Sequence, residues 1–203
     1  MEALRCGTMG KIYYLMGKSS SGKDTLYKEI LHKIPELKTL ILYTTRPIRE
    51  GERDGVEYHF VSEEILKQFE EEGKIIEKRT YDTVYGQWKY ATIDDGQMNL
   101  NDSDYLVIGT LESYSKMKSY YGAQYLVPIY IEVEDGERLS RALVRERQQE
   151  KPKYNELCRR FLADQNDFSE ENLRKAGINR RYRNQDKTQC LEEIIGEIQN
   201  GKF

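Results

Sequence analysis

At 203 residues, 33% of them charged, with a net charge of -3, the chain suits one well-solvated domain and carries no global basic field that would draw in nucleic acid. No apolar run approaches the roughly 18 residues of a membrane span, and the N-terminus lacks the long apolar core of a signal peptide. Cys6, Cys158 and Cys190 are odd in number and far apart, which suggests reduced thiols in a cytoplasmic protein and neither a disulfide framework nor a metal site.

Residues 1–10 have no pattern of their own and are expected to be a leader or disordered, with the fold beginning at residue 11. The apolar run Ile12-Tyr13-Tyr14-Leu15-Met16 reads as a strand and Leu26 to Leu31 as a helix; between them stand Gly17, Lys18, Ser19, Ser20, Ser21, Gly22, Lys23, Asp24 and Thr25. Gly17, Gly22 and Lys23 have the spacing of a phosphate-binding loop. In such a loop small residues let backbone N–H groups curl around a phosphate, and a lysine ammonium reaches the outer oxygens. The helix opening at Lys23 adds the positive end of its dipole. Asp24 departs from the pattern, because a Ser or Thr usually offers magnesium a hydroxyl there; its carboxylate is also a hard oxygen ligand, and Thr25 follows it.

The first helix is expected from about Lys23 to His32, closed by Pro35, and Leu40 to Tyr43 as a second strand. His32, in the last helical turn, reads as a plain surface residue. Arg46 and Arg49 then leave a strand end, and Tyr58 and Phe60 follow after glycine turns. Two guanidinium forks and a phenol hydroxyl make a clamp for a second phosphate. The loop together with Thr44-Thr45-Arg46, Arg49, Gly51-Glu52 and the Tyr58-x-Phe60 strand closely resembles the guanylate kinases. The resemblance covers nearly the whole chain from Ile12 onward, and is stronger before Glu77 than after it.

That resemblance implies an α/β phosphate-loop kinase fold: a parallel sheet with helices on both faces, a small nucleotide-binding subdomain and a helical lid. It places the core at about 11–40, 104–138 and 165–203, the monophosphate-binding subdomain at about 41–95 and the lid at about 139–164. It implies that Arg46, Arg49 and Tyr58 hold the phosphate of a nucleoside monophosphate, with Glu77, in the strand Lys74 to Lys78, reading guanine. The chemistry suits that role, because guanine presents N1–H and an N2 amine side by side, a donor pair that one carboxylate can accept and that adenine lacks. The family's Tyr-Gly pair falls at Tyr85-Gly86 or at Tyr90-Ala91; Tyr85 fits the distance from Glu77 better. Trp88 either covers the nucleoside or belongs to the small subdomain's core.

Ser62 precedes a helical pattern over Glu63 to Gly73. Tyr105 to Gly109 is an apolar run of the kind buried in a parallel sheet; a helix over Leu111 to Tyr121 and a strand over Leu126 to Val133 complete another step of the alternation. The family's aspartates at the end of the Tyr105 strand are absent from Ile108 to Glu112, so Asp24 is a candidate for the regained anion of the metal site. Arginines crowd the stretch around Lys151-Pro152-Lys153, where the resemblance implies a mobile lid. Arg145 and Arg160 are the favoured lid arginines, in competition with Arg141, Arg147 and Arg159, and the alternative for any of them is a salt-bridged surface helix. Arg180 to Asn184 resembles the family's strand near the donor adenine, and Leu191 to Ile198 reads as a final amphipathic helix.

The implied activity is guanylate kinase: ATP phosphorylates GMP or dGMP, with Lys23 and the Gly17–Lys23 loop on ATP, Mg2+ near Asp24 or Thr25, and lid arginines on the transferring group. The expected protein is a monomer or homodimer with no nucleic-acid or membrane partner. A kinase for another nucleoside monophosphate is the first alternative, suggested by Leu42 where the family tends to place a serine and by Gln87 where it places a hydroxyl. A related binding module without catalysis is the second, and the retained Lys23 speaks against it.

Overall fold

The computed structural model describes residues 9–49, 51–83 and 86–201. The central strand β1 (Ile12–Gly17) is buried along its whole length, and its alternation feeds two separate cores. Ile12, Tyr14 and Met16 pack on α3 (Leu111–Tyr121) and α6 (Glu170–Ala176), whereas Tyr13 and Leu15 pack on α1 (Lys23–Lys33) and α7 (Lys187–Asn200). Successive side chains of a strand point to opposite faces, so one apolar run covered on both sides requires helices above and below the sheet.

That sheet has five strands in the order β2-β7-β1-β8-β9, with β2 (Lys38–Thr39), β7 (Tyr105–Gly109), β8 (Leu126–Glu132) and β9 (Tyr182–Arg183), and every pairing is parallel. The α/β class, the parallel sheet and its two helical layers agree with the expectation from sequence. The last residue of β7, Gly109, has no room for a side chain, because a Cβ there would stand 2.1 Å from the hydroxyl of Tyr14 on the neighbouring strand β1. Ser62, Thr110, Ser169 and Asp186 each accept from a backbone N–H in the first turn of the helix that follows them.

A second sheet, in the order β4-β3-β6-β5, is built from β3 (Tyr43–Thr44), β4 (His59–Phe60), β5 (Ile75–Thr83) and β6 (Gly86–Ile93). Its own small core joins Tyr43, Ala91 and Ile93 to Leu66 of α2 (Glu63–Glu71). The expected strand over Leu40 to Tyr43 does not form: β2 ends at Thr39 in the first sheet and only Tyr43 of that run enters a strand, β3 of the second, so residues 40–42 are the crossing between them. Helices α4 (Asp135–Arg147) and α5 (Tyr154–Asp167) are separated at the Lys151-Pro152-Lys153 interruption, where the Lys153 N–H is donated to the buried Glu146. Among the described residues no helix is long and apolar enough to cross a membrane.

Candidate active site

The loop from Gly17 to Lys23 lies at the carboxyl end of β1 and opens α1, the edge of a parallel α/β sheet where ligands bind. Its curl depends on two left-handed residues, Ser20 at φ 62° and Gly22 at φ 85°. Gly22 is needed twice over, since a Cβ would also stand 2.5 Å from Nδ2 of Asn184, which donates to the Ser21 carbonyl at 2.8 Å. Among the described residues no side chain caps the start of α1, and the Thr25 and Leu26 N–H groups donate to the Gly22 carbonyl. The buried Ser21 hydroxyl has no hydrogen-bond partner among the described residues. Lys23 is one-fifth exposed; Asp24 and Thr25 are exposed on the same first turn, with the Asp24 carboxylate 3.9 Å from the Lys23 ammonium.

Helices α4 and α5 close over this loop through Arg138, a fully buried arginine. Its Nη1 donates to the Ser19 carbonyl at 3.0 Å, its Nη2 and Nε to Asp135 at 2.6 and 3.1 Å, and its guanidinium lies 4.8 Å from the centre of the Phe161 ring. Asp164 on α5 accepts the Ser19 N–H at 2.7 Å, and Lys18 reaches Gln165 at 2.6 Å. Burial raises the Asp135 carboxyl, but hydrogen bonds from Arg138 and Gln165 outweigh it and hold the pKa below its ordinary value. Of the two arginines favoured from sequence, Arg145 reaches the loop, with Nη2 3.3 Å from the Ser20 hydroxyl; Arg160 is exposed and pairs with Glu156 on its own helix, as does Arg159. Arg141 donates to the Asn184 carbonyl, and Arg147 is exposed.

The second sheet carries the other residues singled out from sequence. Arg46 is buried between the rings of Tyr58 and Phe60, each centroid 5.3 Å from its guanidinium, and forks onto both oxygens of Glu52 at 2.8 and 2.9 Å. The hydrogen bond from Arg46 holds the Glu52 carboxyl down to about 2, with help from the Arg49 backbone N–H. Arg49 itself is exposed. Tyr85 lies outside the described residues. Tyr90 stands within reach of Arg46, its ring 5.6 Å from that of Tyr58, while Trp88 is partly buried on β6.

Glu77 is buried where β5 shifts register against β6 between Ile75 and Glu77, a bulge of the kind that re-aims a side chain. Its Oε1 accepts from the Thr92 and Ser113 hydroxyls, both at 3.1 Å, and from Arg79 Nη2 at 3.2 Å; its Oε2 accepts from Arg79 Nε at 3.0 Å. Burial disfavours charge on Arg79, but Glu77 beside it prevails and the guanidinium pKa lies above its ordinary value. Sequence reading passes over Arg79 and takes Arg138 only as one of the arginines crowding the stretch. The i, i+2 spacing of Glu77 and Arg79 on one strand face was a signal for the first; nothing local distinguished Arg138 from its exposed neighbours.

A parallel sheet with a phosphate loop at its carboxyl edge, two helices pinned over that loop and an arginine-bearing side sheet defines a phosphate-loop α/β protein of the nucleotide-kinase kind. The guanylate kinase family model matches residues 9–170, and the chain belongs to the guanylate kinase family. The guanylate kinase of Chlorobaculum tepidum is 33% identical over 147 residues, 70% of this chain and 72% of that one. That of Sulfurimonas denitrificans is 55% identical over 64 residues, and the match spans only 31% of either chain. The crystal structure of guanylate kinase from Anaplasma phagocytophilum superposes with a TM-score of 0.65 over 97% of this chain and 88% of that one, at 17% identity, a likeness of fold.

Proposed function

We propose that this chain transfers the γ-phosphoryl group of ATP to the phosphate of guanosine monophosphate, giving ADP and GDP. The observation that supports the reading is that the fold carries two groups suited to phosphate, the Gly17–Lys23 loop at the head of α1 and the Arg46–Tyr58–Tyr90 cluster on the second sheet. Phosphoryl transfer asks the protein to hold donor and acceptor in line and to neutralise charge on the moving group. The loop N–H groups and the Lys23 ammonium would hold the outer phosphates of ATP. Arg46, Arg49, Tyr58 and the site tyrosine, Tyr85 or Tyr90, would hold the acceptor phosphate, with Glu77 at the base. Arg145 and Arg160 are assigned to the charge that develops on the transferring group, and the α4–α5 segment, residues 139–164, to the lid that excludes water.

Asp24 and Thr25 offer hard oxygens on an open first turn, which fits magnesium, an ion that takes one or two protein ligands and fills its shell with phosphates and water. When bound there with ATP, it would neutralise phosphate charge. A cytoplasmic enzyme is consistent with this reading. The test is coupled ADP release with ATP across a panel of nucleoside monophosphates. Turnover of a purine monophosphate is expected, as is a loss of about 10²-fold or more in Lys23→Ala with its melting temperature unchanged. No turnover with any monophosphate, or a Lys23→Ala protein as fast as the parent, would refute the reading.

A further inference from the structure

A lone carboxylate that reads both N1–H and N2–H of guanine needs a free acceptor site on each oxygen. A carboxylate has about four such sites, two on each oxygen. On Glu77 the Oε1 sites are taken by the Thr92 and Ser113 hydroxyls and Arg79 Nη2, and one Oε2 site by Arg79 Nε. One acceptor position remains, on Oε2. Arg79 brings five donors and spends three on described partners: two on Glu77, and one from Nη1 to the Thr110 hydroxyl at 3.4 Å. Arg79 lies on the same face of β5 as Glu77 and opposite Tyr90, which touches Tyr58 of the phosphate cluster. The pair therefore presents one acceptor beside remaining guanidinium donors, next in the ladder to the tyrosine that joins β6 to the Arg46–Tyr58 cluster.

We infer that Arg79 is a specificity-determining residue, and that the Glu77–Arg79 pair reads a lactam edge, N–H beside C=O, so that the 2-amino group of the purine contributes little to recognition. This rests on the kinase reading above and names its acceptor class: 6-oxopurine monophosphates with or without the amine. Guanine and hypoxanthine share N1–H and C6=O. With the phosphate held by the arginines, adenine presents that edge in reverse order, its N1 lone pair where the carboxylate needs a donor and its amine where the guanidinium needs an acceptor. A site built around the amine would reject hypoxanthine strongly, because its own buried acceptor would be left unpaired. Here that acceptor already has Arg79.

The experiment compares kcat/KM for GMP, IMP and AMP in the unaltered protein, in Arg79→Ala and in Arg79→Met, which keeps much of the side-chain volume; thermal melting verifies that the variants fold. The unaltered protein should use IMP within about 10-fold of GMP and disfavour AMP by about 10²-fold or more. In the folded variants Glu77 is released to accept both guanine donors, so the GMP-to-IMP ratio should rise by about 10-fold or more, through the KM for the acceptor and with the KM for ATP unchanged. A GMP preference of about 10²-fold or more in the unaltered protein overturns the inference, as does an unaltered ratio in both folded variants. The unaltered protein decides the matter even when neither variant folds. If no monophosphate turns over, the kinase reading fails by itself, and calorimetric titration with GMP and IMP still decides this one: similar affinities support it, whereas a large GMP preference or binding of neither overturns it.

Discussion

Replacing Arg138 by alanine removes a guanidinium that is 1% exposed and joins three things at once: the Ser19 carbonyl of the phosphate loop, Asp135 at the start of α4 and the Phe161 ring on α5. It also strips the nearest cation from Asp164, 3.5 Å away and 15% exposed. Asp135 is 42% exposed and can rehydrate, so its share of the loss is small. The Asp164 carboxylate and the Ser19 carbonyl are less able to do so. Breaking a buried pair from one side costs about 3–5 kcal/mol, since the remaining charge is left uncompensated. For a domain of this size that lowers the melting temperature by roughly 6–20 °C. Urea unfolding gives the free energy, and Arg138→Lys, which keeps the charge but cannot span the Ser19 carbonyl and Asp135 together, should recover only part of it. A loss below about 1 kcal/mol in Arg138→Ala would equate this residue with an ordinary surface ion pair and refute its role as the pin between α4, α5 and the loop.

Asp24→Ser makes the loop more ordinary yet removes the acid from the first turn of α1. Weaker Mg-ATP binding by calorimetry and a higher magnesium requirement for turnover are expected, and equal values for both proteins would leave Asp24 as nothing more than a favourable charge at a helix start. For Glu52 the hydrogen bond from Arg46 depresses the folded pKa from 4.5 to about 2, so its stabilising effect is complete above about pH 4.5 and is lost as pH falls toward 2. Glu52→Gln should therefore show a flatter urea midpoint than the parent across that window, and superimposable pH profiles would mean that the Arg46–Glu52 fork does not persist in solution.

The order of strands and helices around the sheet was legible because the signals are local. Apolar runs at Ile12–Met16 and Tyr105–Gly109 are long enough to be buried strands, and Lys23 to Lys33 and Leu111 to Tyr121 are bounded by a glycine turn and by a Thr cap. Helix α6 was missed although Ser169, the acids Glu170 and Glu171, and Gly177 in the left-handed conformation mark both its ends; at seven residues it is too short for its periodicity to stand out. The break between β2 and β3 could not be read, since residues 40–42 are as apolar as a strand and only the parting of two sheets interrupts them.

Charge was harder than hydrophobicity for the same reason throughout. A run of arginines from Arg138 to Arg160 looks uniform, yet Arg138 is sealed against the loop and Arg160 stays in water, a difference decided by how α4 and α5 pack over residues more than a hundred positions earlier. The sequence by itself determined which residue types were present for the chemistry: glycines and a lysine for phosphate, arginines for a second phosphate and a carboxylate for a base. Only the tertiary structure decided their partners. Ser113, 36 residues from Glu77, and Arg79, two residues from it, leave that carboxylate a single acceptor position, because desolvated charges take whichever donors the fold brings nearest.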